Sequence, residues 1–360
     1  MPARADRLAS LAREHGADVL LVTDLVNVRW LCGFTGTSGL CLIGDGGDDG
    51  PVRRFVTDFR YDEQSANQLD SSWQREIAMD LTKHVAESLT GPLVMGFDDA
   101  HMPVKQAEAI AEALPDRVTL KPAAGLVEKL RAQKDSAEIA AIRAATDLAD
   151  TALTEVLERG LVGRTEAEVG IDIEFTIRKL GAEGVSFPPI VAAGPHGALP
   201  HAVPRDVKIE AGTLCVIDWG AQLDGYASDC TRTYATGELS AEDREIYDLV
   251  LAAQLEALAG VVPGADGKAV DSIARDIITA AGHGDHFGHG LGHGVGAEVH
   301  EGPRLSQRSD SVLAPGHVVT VEPGVYVPGK VGVRIEDLAV VTEDGHDVLT
   351  KLSKKLTVVS

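Results

Sequence analysis

Cysteine is scarce in this 360-residue chain: Cys32, Cys41, Cys215 and Cys230 are the four, with no CxxC spacing among them. That excludes a disulfide-stapled scaffold and a thiolate zinc cluster, and leaves reduced core thiols. Positive charge is also short. Thirty-three Lys and Arg stand against 55 Asp and Glu, a formal charge of −22 with no basic cluster to offset it. This balance excludes a nucleic-acid module and disfavours an anionic membrane surface. No apolar run approaches the roughly 20 residues of a membrane span. Met1–Arg7 leads into a polar amphipathic helix rather than the apolar stretch of an export signal, so the expected compartment is the cytoplasm. Neither a repeat of solenoid period nor a Gly-Lys-Ser/Thr phosphate loop is present.

What the chain does have is length for two domains and an ordinary apolar content of 44%. Residues 1–122 alternate apolar strands with amphipathic helices, and the Pro- and Ala-rich stretch Pro115–Gly125 marks a boundary. A second domain is expected over 123–360. Within it, Asp135 followed by Ser-Ala-Glu opens a long Ala-rich helix with an N-cap and early acid, and Glu242–Gly260 reads as another.

Two predicted hairpins carry paired carboxylates. Thr213–Gly220 is an apolar strand holding Asp218, and Tyr226–Tyr234 a second holding Asp229. Asp224-Gly225 between them suits a two-residue type I′ turn, which sets Leu223 opposite Tyr226 and Asp218 opposite Thr231. Asp229 then lies two residues from Asp218's partner, on the same face and diagonally across. Val318–Val327 and Val331–Val340 repeat the device around Pro328-Gly329-Lys330, setting Glu322 across from Glu336. Pro323 cannot donate to a ladder and signals a bulge or edge beside Glu322.

Between the hairpins runs Phe287–Gly296, with glycine at every second position from 288, followed by His300; the 283–300 segment holds five of the chain's twelve histidines. Glycine lets backbone approach a site closely, and imidazole both ligates metal and moves protons near neutral pH. Alone this is as well read as a flexible His-rich tract. Four strand carboxylates change the balance, because Asp and Glu are rarely buried unless paired or metal-bound. Asp218, Asp229, His293, Glu322 and Glu336 together have the chemistry of a two-metal hydrolytic site.

These segments resemble the pita-bread metallopeptidases that include aminopeptidase P, prolidase and methionine aminopeptidase. The likeness rests on the Asp218 strand, Ser228–Thr233, Gly288–His293, His300–Pro303, Val321–Gly324 and Val333–Asp337, all in family order. Pro200-His201 and the His-rich loop favour the proline-peptidase branch. Asn27–Gly39 and Thr57–Tyr61 are similar to the accessory domain of short bacterial aminopeptidase P-like proteins, although Trp30 and Tyr61 read as packing. The resemblance implies an α+β chain: a C-terminal pita-bread (creatinase/aminopeptidase) fold behind a smaller α/β creatinase-type, ribonuclease H-like domain.

It also implies roles. Asp218 chelates one divalent ion, His293 and Glu322 the other, and Asp229 and Glu336 bridge both. Four carboxylates and one imidazole tolerate Mn²⁺, Co²⁺, Fe²⁺ or Zn²⁺, and the family implies Mn²⁺. Such a pair activates water and polarises a carbonyl. Glu322 is the expected base, His201 and His300 supply donors, and His289 holds substrate. His196, His283 and His286 read as structural. Arg334, two residues before Glu336 on the same face, suits orienting that carboxylate, binding a peptide carboxylate, or a plain cross-strand ion pair. The expected substrates are peptides with proline after the cleaved bond, whose tertiary amide lacks an N–H. Removal of the first residue from longer peptides, as by aminopeptidase P, is the leading reading. Prolidase action on dipeptides is the alternative, a non-catalytic peptide-binding module a remote one, and a homodimer is implied by resemblance.

Overall fold

The computed structural model describes residues 2–44, 51–89, 92–123 and 125–360; Ala124, in the expected boundary stretch, lies outside them. The chain divides into two compact units, Met1–Arg131 and Ala132–Ser360.

The N-terminal unit is built on a six-stranded mixed sheet of order β4-β3-β2-β1-β5-β6. These are β1 (Val19–Val22), β2 (Leu40–Gly44), β3 (Val52–Thr57), β4 (Gln74–Ile77), β5 (Leu93–Phe97) and β6 (Val118–Pro122). Strand period explains why both faces are covered. Val19, Leu21, Leu40 and Leu42 point into one apolar cluster, whereas Leu20, Val22, Cys41 and Ile43 point into the other. Trp30 is buried in the second cluster beneath the Arg4 guanidinium, and Tyr61 packs edge-on against Phe34. All four cysteines are buried free thiols.

In the C-terminal unit two helix pairs each back one carboxylate hairpin. Helices α7 (Ser136–Leu157) and α8 (Glu166–Lys179) both begin with capping boxes, Asp135 with Glu138 and Thr165 with Glu168. They bury Ala149, Leu153, Val169 and Ile173 against Cys215, Ile217 and Trp219 of β9 (Leu214–Trp219). Helices α9 (Ala241–Ala259) and α10 (Gly267–Ala280) bury Ile246, Val250, Val270 and Ala274 against Val319, Val321 and Val333.

The first hairpin pairs β9 with β12 (Cys230–Ala235), Asp218 facing Thr231, and continues through β10 (Ala221–Leu223) and β11 (Tyr226–Ala227), Leu223 facing Tyr226. Asp224 and Gly225 take φ of 49° and 83°, as a type I′ turn requires. The second pairs β15 (Val318–Val321) with β18 (Asp337–Val341) and, beyond an interruption, β16 (Gly324–Val327) with β17 (Val331–Arg334). Val321↔Asp337 and Gly324↔Arg334 keep one register across the gap, so Glu322 and Glu336 stand opposite each other inside it. Asp229 occupies the equivalent gap between Ala227 and Cys230 in the first hairpin. Asp229, Glu322 and Glu336 thus sit where each ladder breaks, and Asp218 just inside one. Backbone from elsewhere takes over: Glu322 N–H donates to Leu291 O at 2.8 Å and Glu336 N–H to Thr231 O at 3.0 Å.

Candidate metal centre and active site

The five predicted ligand residues converge on one cavity of about 550 Å³ in the C-terminal unit. Asp218, Asp229 and Glu336 each bring a carboxylate oxygen within 4.8 Å of the others, and Asp229, His293 and His300 do the same with their ligand atoms. His293 Nε2 lies 3.5 Å from Asp229 Oδ2 and 3.4 Å from Glu322 Oε1. Neither contact is an ion pair, because burial, then the neighbouring His300, pulls the His293 pKa down to about 3. Its Nδ1 donates to Gly294 O at 3.1 Å, which leaves a bare Nε2 lone pair facing two carboxylates.

The carboxylates tell the same story. Burial raises Asp229 and Glu336 well above the ordinary range, and repulsion from their acidic neighbours pushes the same way. Burial also takes Glu322 up to about 8, and raises Asp218 against the pull of Arg334. Asp218 Oδ1 and Glu336 Oε1 are buried without a hydrogen-bond partner. Acceptors gathered this closely and this deeply buried fit divalent cations, for which each leftover oxygen and the His293 lone pair would serve as donor atoms.

The supports are specific. Glu336 Oε2 accepts from Thr231 Oγ1 at 2.8 Å. Arg334 is buried and fully engaged: Nη2 donates to Asp218 Oδ2 at 2.7 Å, Nη1 to Tyr326 Oη at 2.8 Å and Pro200 O at 3.2 Å, and Nε to Thr231 Oγ1 at 2.9 Å. It therefore orients Asp218, on the other hairpin, rather than Glu336. His289 Nδ1 donates to Gly290 O at 2.8 Å, so its Nε2, 2.9 Å away, accepts from the Tyr326 hydroxyl. Burial, followed by the Arg334 charge, lowers the His289 pKa to about 4 and keeps the ring neutral. The His289 loop is held from α10, where the buried Asp271 carboxylate accepts from Leu291 N–H and pairs with Arg275, whose Nη groups reach Phe287 O and His289 O, each at 2.8 Å.

His201 and His300 also line the cavity and are exposed to it, and the His300 ring stands 4.4 Å from that of His293. His196 is elsewhere engaged, buried against Glu166 at 2.8 Å, and His283 pairs with His286. Sequence reasoning missed Tyr326, Thr231 and Arg304, as well as the apolar wall of Phe187, Pro188, Pro189 and Ile190. A Pro-Pro pair after an aromatic is a loop signal only; nothing local says that it faces ligands. Arg304 is exposed, lines the cavity, and opposes protonation of His300 and Glu322.

Comparison with known proteins agrees with this geometry. Residues 140–343 match the model of metallopeptidase family M24, and residues 4–133 that of the creatinase/prolidase N-terminal domain. An Xaa-Pro dipeptidase of Pyrococcus furiosus is 36% identical over 99% of this chain and 100% of its own. The solved Xaa-Pro dipeptidase from Bacillus anthracis superposes with a TM-score of 0.93 at 41% identity, covering 99% of both chains. An X-Pro aminopeptidase from Thermotoga maritima superposes with 0.90 at 35% identity, over 99% of this chain and 100% of its own. The chain belongs to metallopeptidase family M24, a family that implies divalent metal ions, and joins a creatinase-type N-terminal domain to a pita-bread C-terminal one.

Proposed function

We propose that this protein hydrolyses the Xaa-Pro bond of dipeptides. Sequence reasoning placed aminopeptidase action first, but the balance of named relatives and solved structures favours the dipeptidase. Arg304 carries the reading from this chain's own geometry. An exposed guanidinium on the wall of the cavity that holds the carboxylate cluster suits the free carboxylate one residue beyond the cleaved bond, which a longer peptide lacks there. The Thermotoga neighbour keeps aminopeptidase action as the second reading.

In this reading Asp218, Asp229, His293, Glu322 and Glu336 hold two divalent ions, Mn²⁺ first among the candidates. When bound they supply an activated water and a polarised scissile carbonyl. Glu322 accepts the proton of the attacking water, and His201 and His300 face the reacting carbonyl as donors. His289, kept neutral by burial and the Arg334 charge and held in place by Gly290 and Tyr326, forms a fixed wall for substrate. Phe187, Pro188, Pro189 and Ile190 offer an apolar surface to a pyrrolidine ring that needs no N–H acceptor. A cytoplasmic homodimer completes the proposal, checked by light scattering and cell fractionation.

Product analysis by mass spectrometry tests it, with Mn²⁺-loaded protein and an Xaa-Pro dipeptide beside an Xaa-Pro-Xaa-Xaa peptide, each with and without chelator. Chelator-sensitive cleavage of the dipeptide alone is expected. Release of the first residue from the longer peptide makes the chain an aminopeptidase, and cleavage of neither overturns both readings. Arg304→Ala should raise KM for the dipeptide about 10- to 100-fold, the loss of one charge-assisted pair.

A further inference from the structure

Next to His300 in sequence lies an ion pair whose two members do not line the cavity. Lys134, just before α7, and Glu301, the first residue of β14 (Glu301–Leu305), meet at 2.5 Å with side chains only 1% and 4% exposed. The surrounding contacts are close. Lys134 N–H donates to Gly316 O at 2.9 Å and its Nζ also reaches Ala132 O at 3.2 Å, so the ammonium is held from its own chain. Glu301 Oε2 accepts from Glu298 N–H at 3.4 Å. A Cβ at Gly296 would meet Glu301 Oε1 at 2.3 Å and Lys134 Cε at 2.8 Å, so both side chains lie directly against the 296–301 loop.

That loop ends in His300. His300 sits in the bend just before β14, exposed and lining the cavity, whereas the next residue, Glu301, is buried. Across β13 (Gly292–Gly294) the ladder slips at the same place: His293 pairs with Arg304 and Gly294 with Glu301. Regular pairing therefore does not fix His300 relative to His293; Ala227 N–H to Gly296 O at 2.8 Å and Gly296 N–H to Glu298 O at 3.0 Å hold the start of the loop, and the Lys134–Glu301 pair holds its end. We propose that Lys134, outside the cavity, is a positioning residue for His300, acting through its buried ion pair with Glu301. This rests on the peptidase reading for the use of His300, but not for the placement itself.

The pair's burial makes stability and positioning separable. Removing one partner strands the other charge in the interior and destabilises the fold, whereas removing both leaves no such charge. The test uses full-length, Mn²⁺-loaded protein. Lys134→Met should lower kcat about 10- to 100-fold with KM within about threefold, the scale of a misplaced catalytic group. Lys134→Arg should restore most of it. Lys134→Met/Glu301→Gln should recover the melting temperature but keep the kcat defect. On a His300→Gln background, Lys134→Met should cost little more. The imidazole resonances of His300, read in Zn²⁺-loaded protein because paramagnetic Mn²⁺ beside His293 would broaden them away, should shift in the Lys134 variants whether or not any peptide is cut. If the double variant recovers kcat together with stability, or Lys134→Met acts additively with His300→Gln, or the His300 resonances stay put, the pair is structural only and the proposal falls. If wild-type protein cuts no Xaa-Pro peptide while the resonances do shift, the peptidase reading fails and the positioning stands.

Discussion

Chelation should make this protein less stable as pH rises. The carboxylates are the cause. Burial lifts Glu322 to about 8, whereas an unfolded glutamate titrates near about 4.3. Without metal, the folded state therefore binds more protons than the unfolded one, and stability must fall with pH from the unfolded value up through the folded one. Between about pH 7 and 8.5 the histidines drop out, because His289 and His293 are held at about 4 and 3 and unfolded imidazoles are mostly neutral there. Glu322 alone then costs roughly 1 kcal/mol across the window. Its side chain keeps 17% of its surface exposed, so this is an upper figure. Asp229 and Glu336, raised well above the ordinary range by burial and by their acidic neighbours, act in the same direction. The Glu322 share alone corresponds to a drop of up to roughly 2–4 °C in the melting temperature of a unit of this size, and the other two carboxylates deepen it. Mn²⁺ in excess should abolish or invert the trend, since its ligands must be deprotonated to bind. Scanning calorimetry in EDTA and in Mn²⁺ at both pH values measures it. A chelated protein whose melting temperature is flat or rising over that window would refute the crowded-carboxylate account.

Two further outcomes follow from packing. Gly332→Ala should destabilise the protein by about 1–3 kcal/mol or more in urea unfolding, because the added Cβ would stand 1.7 Å from Gly197 O, a backbone atom that cannot swing aside as a side-chain end could. Asp271→Asn should cost about 2–4 kcal/mol by the same assay and lower kcat, since it uncouples Arg275 from the loop that carries His289.

Much of the site was legible because its carboxylates lie on hairpins, where a turn dictates register. Asp224-Gly225 set Asp218 against Thr231, Pro328–Lys330 set Glu322 against Glu336, and Pro323 marked the break beside Glu322. Helix boundaries were readable to about a residue at the second pair, the expected 242–260 running from Ala241 to Ala259. Contacts between distant segments were not. Arg334 shares a strand face with Glu336 yet reaches Asp218, 116 positions away, because the two hairpins lie side by side through Thr233 and Arg334. Lys134 and Glu301 meet across a sequence gap that no periodicity spans. Asp271 and Arg275 look like an ordinary i, i+4 surface pair, and only burial of the carboxylate shows that they scaffold a loop.

The two interrupted ladders divide the molecule into parts with different freedom to change. Glu322 and Glu336 take their backbone bonds from Leu291 and Thr231, so a slip in one hairpin must unseat the glycine loop or the other hairpin as well. No single segment can drift. Of the cavity's remaining wall, Ile190 pairs with Asp218 and Arg304 with His293, whereas Phe187–Pro189 and His201–Pro204 lie outside these ladders. Selection for peptide length or side chain therefore has the rim to work on, while the floor beneath it is inherited whole or lost whole.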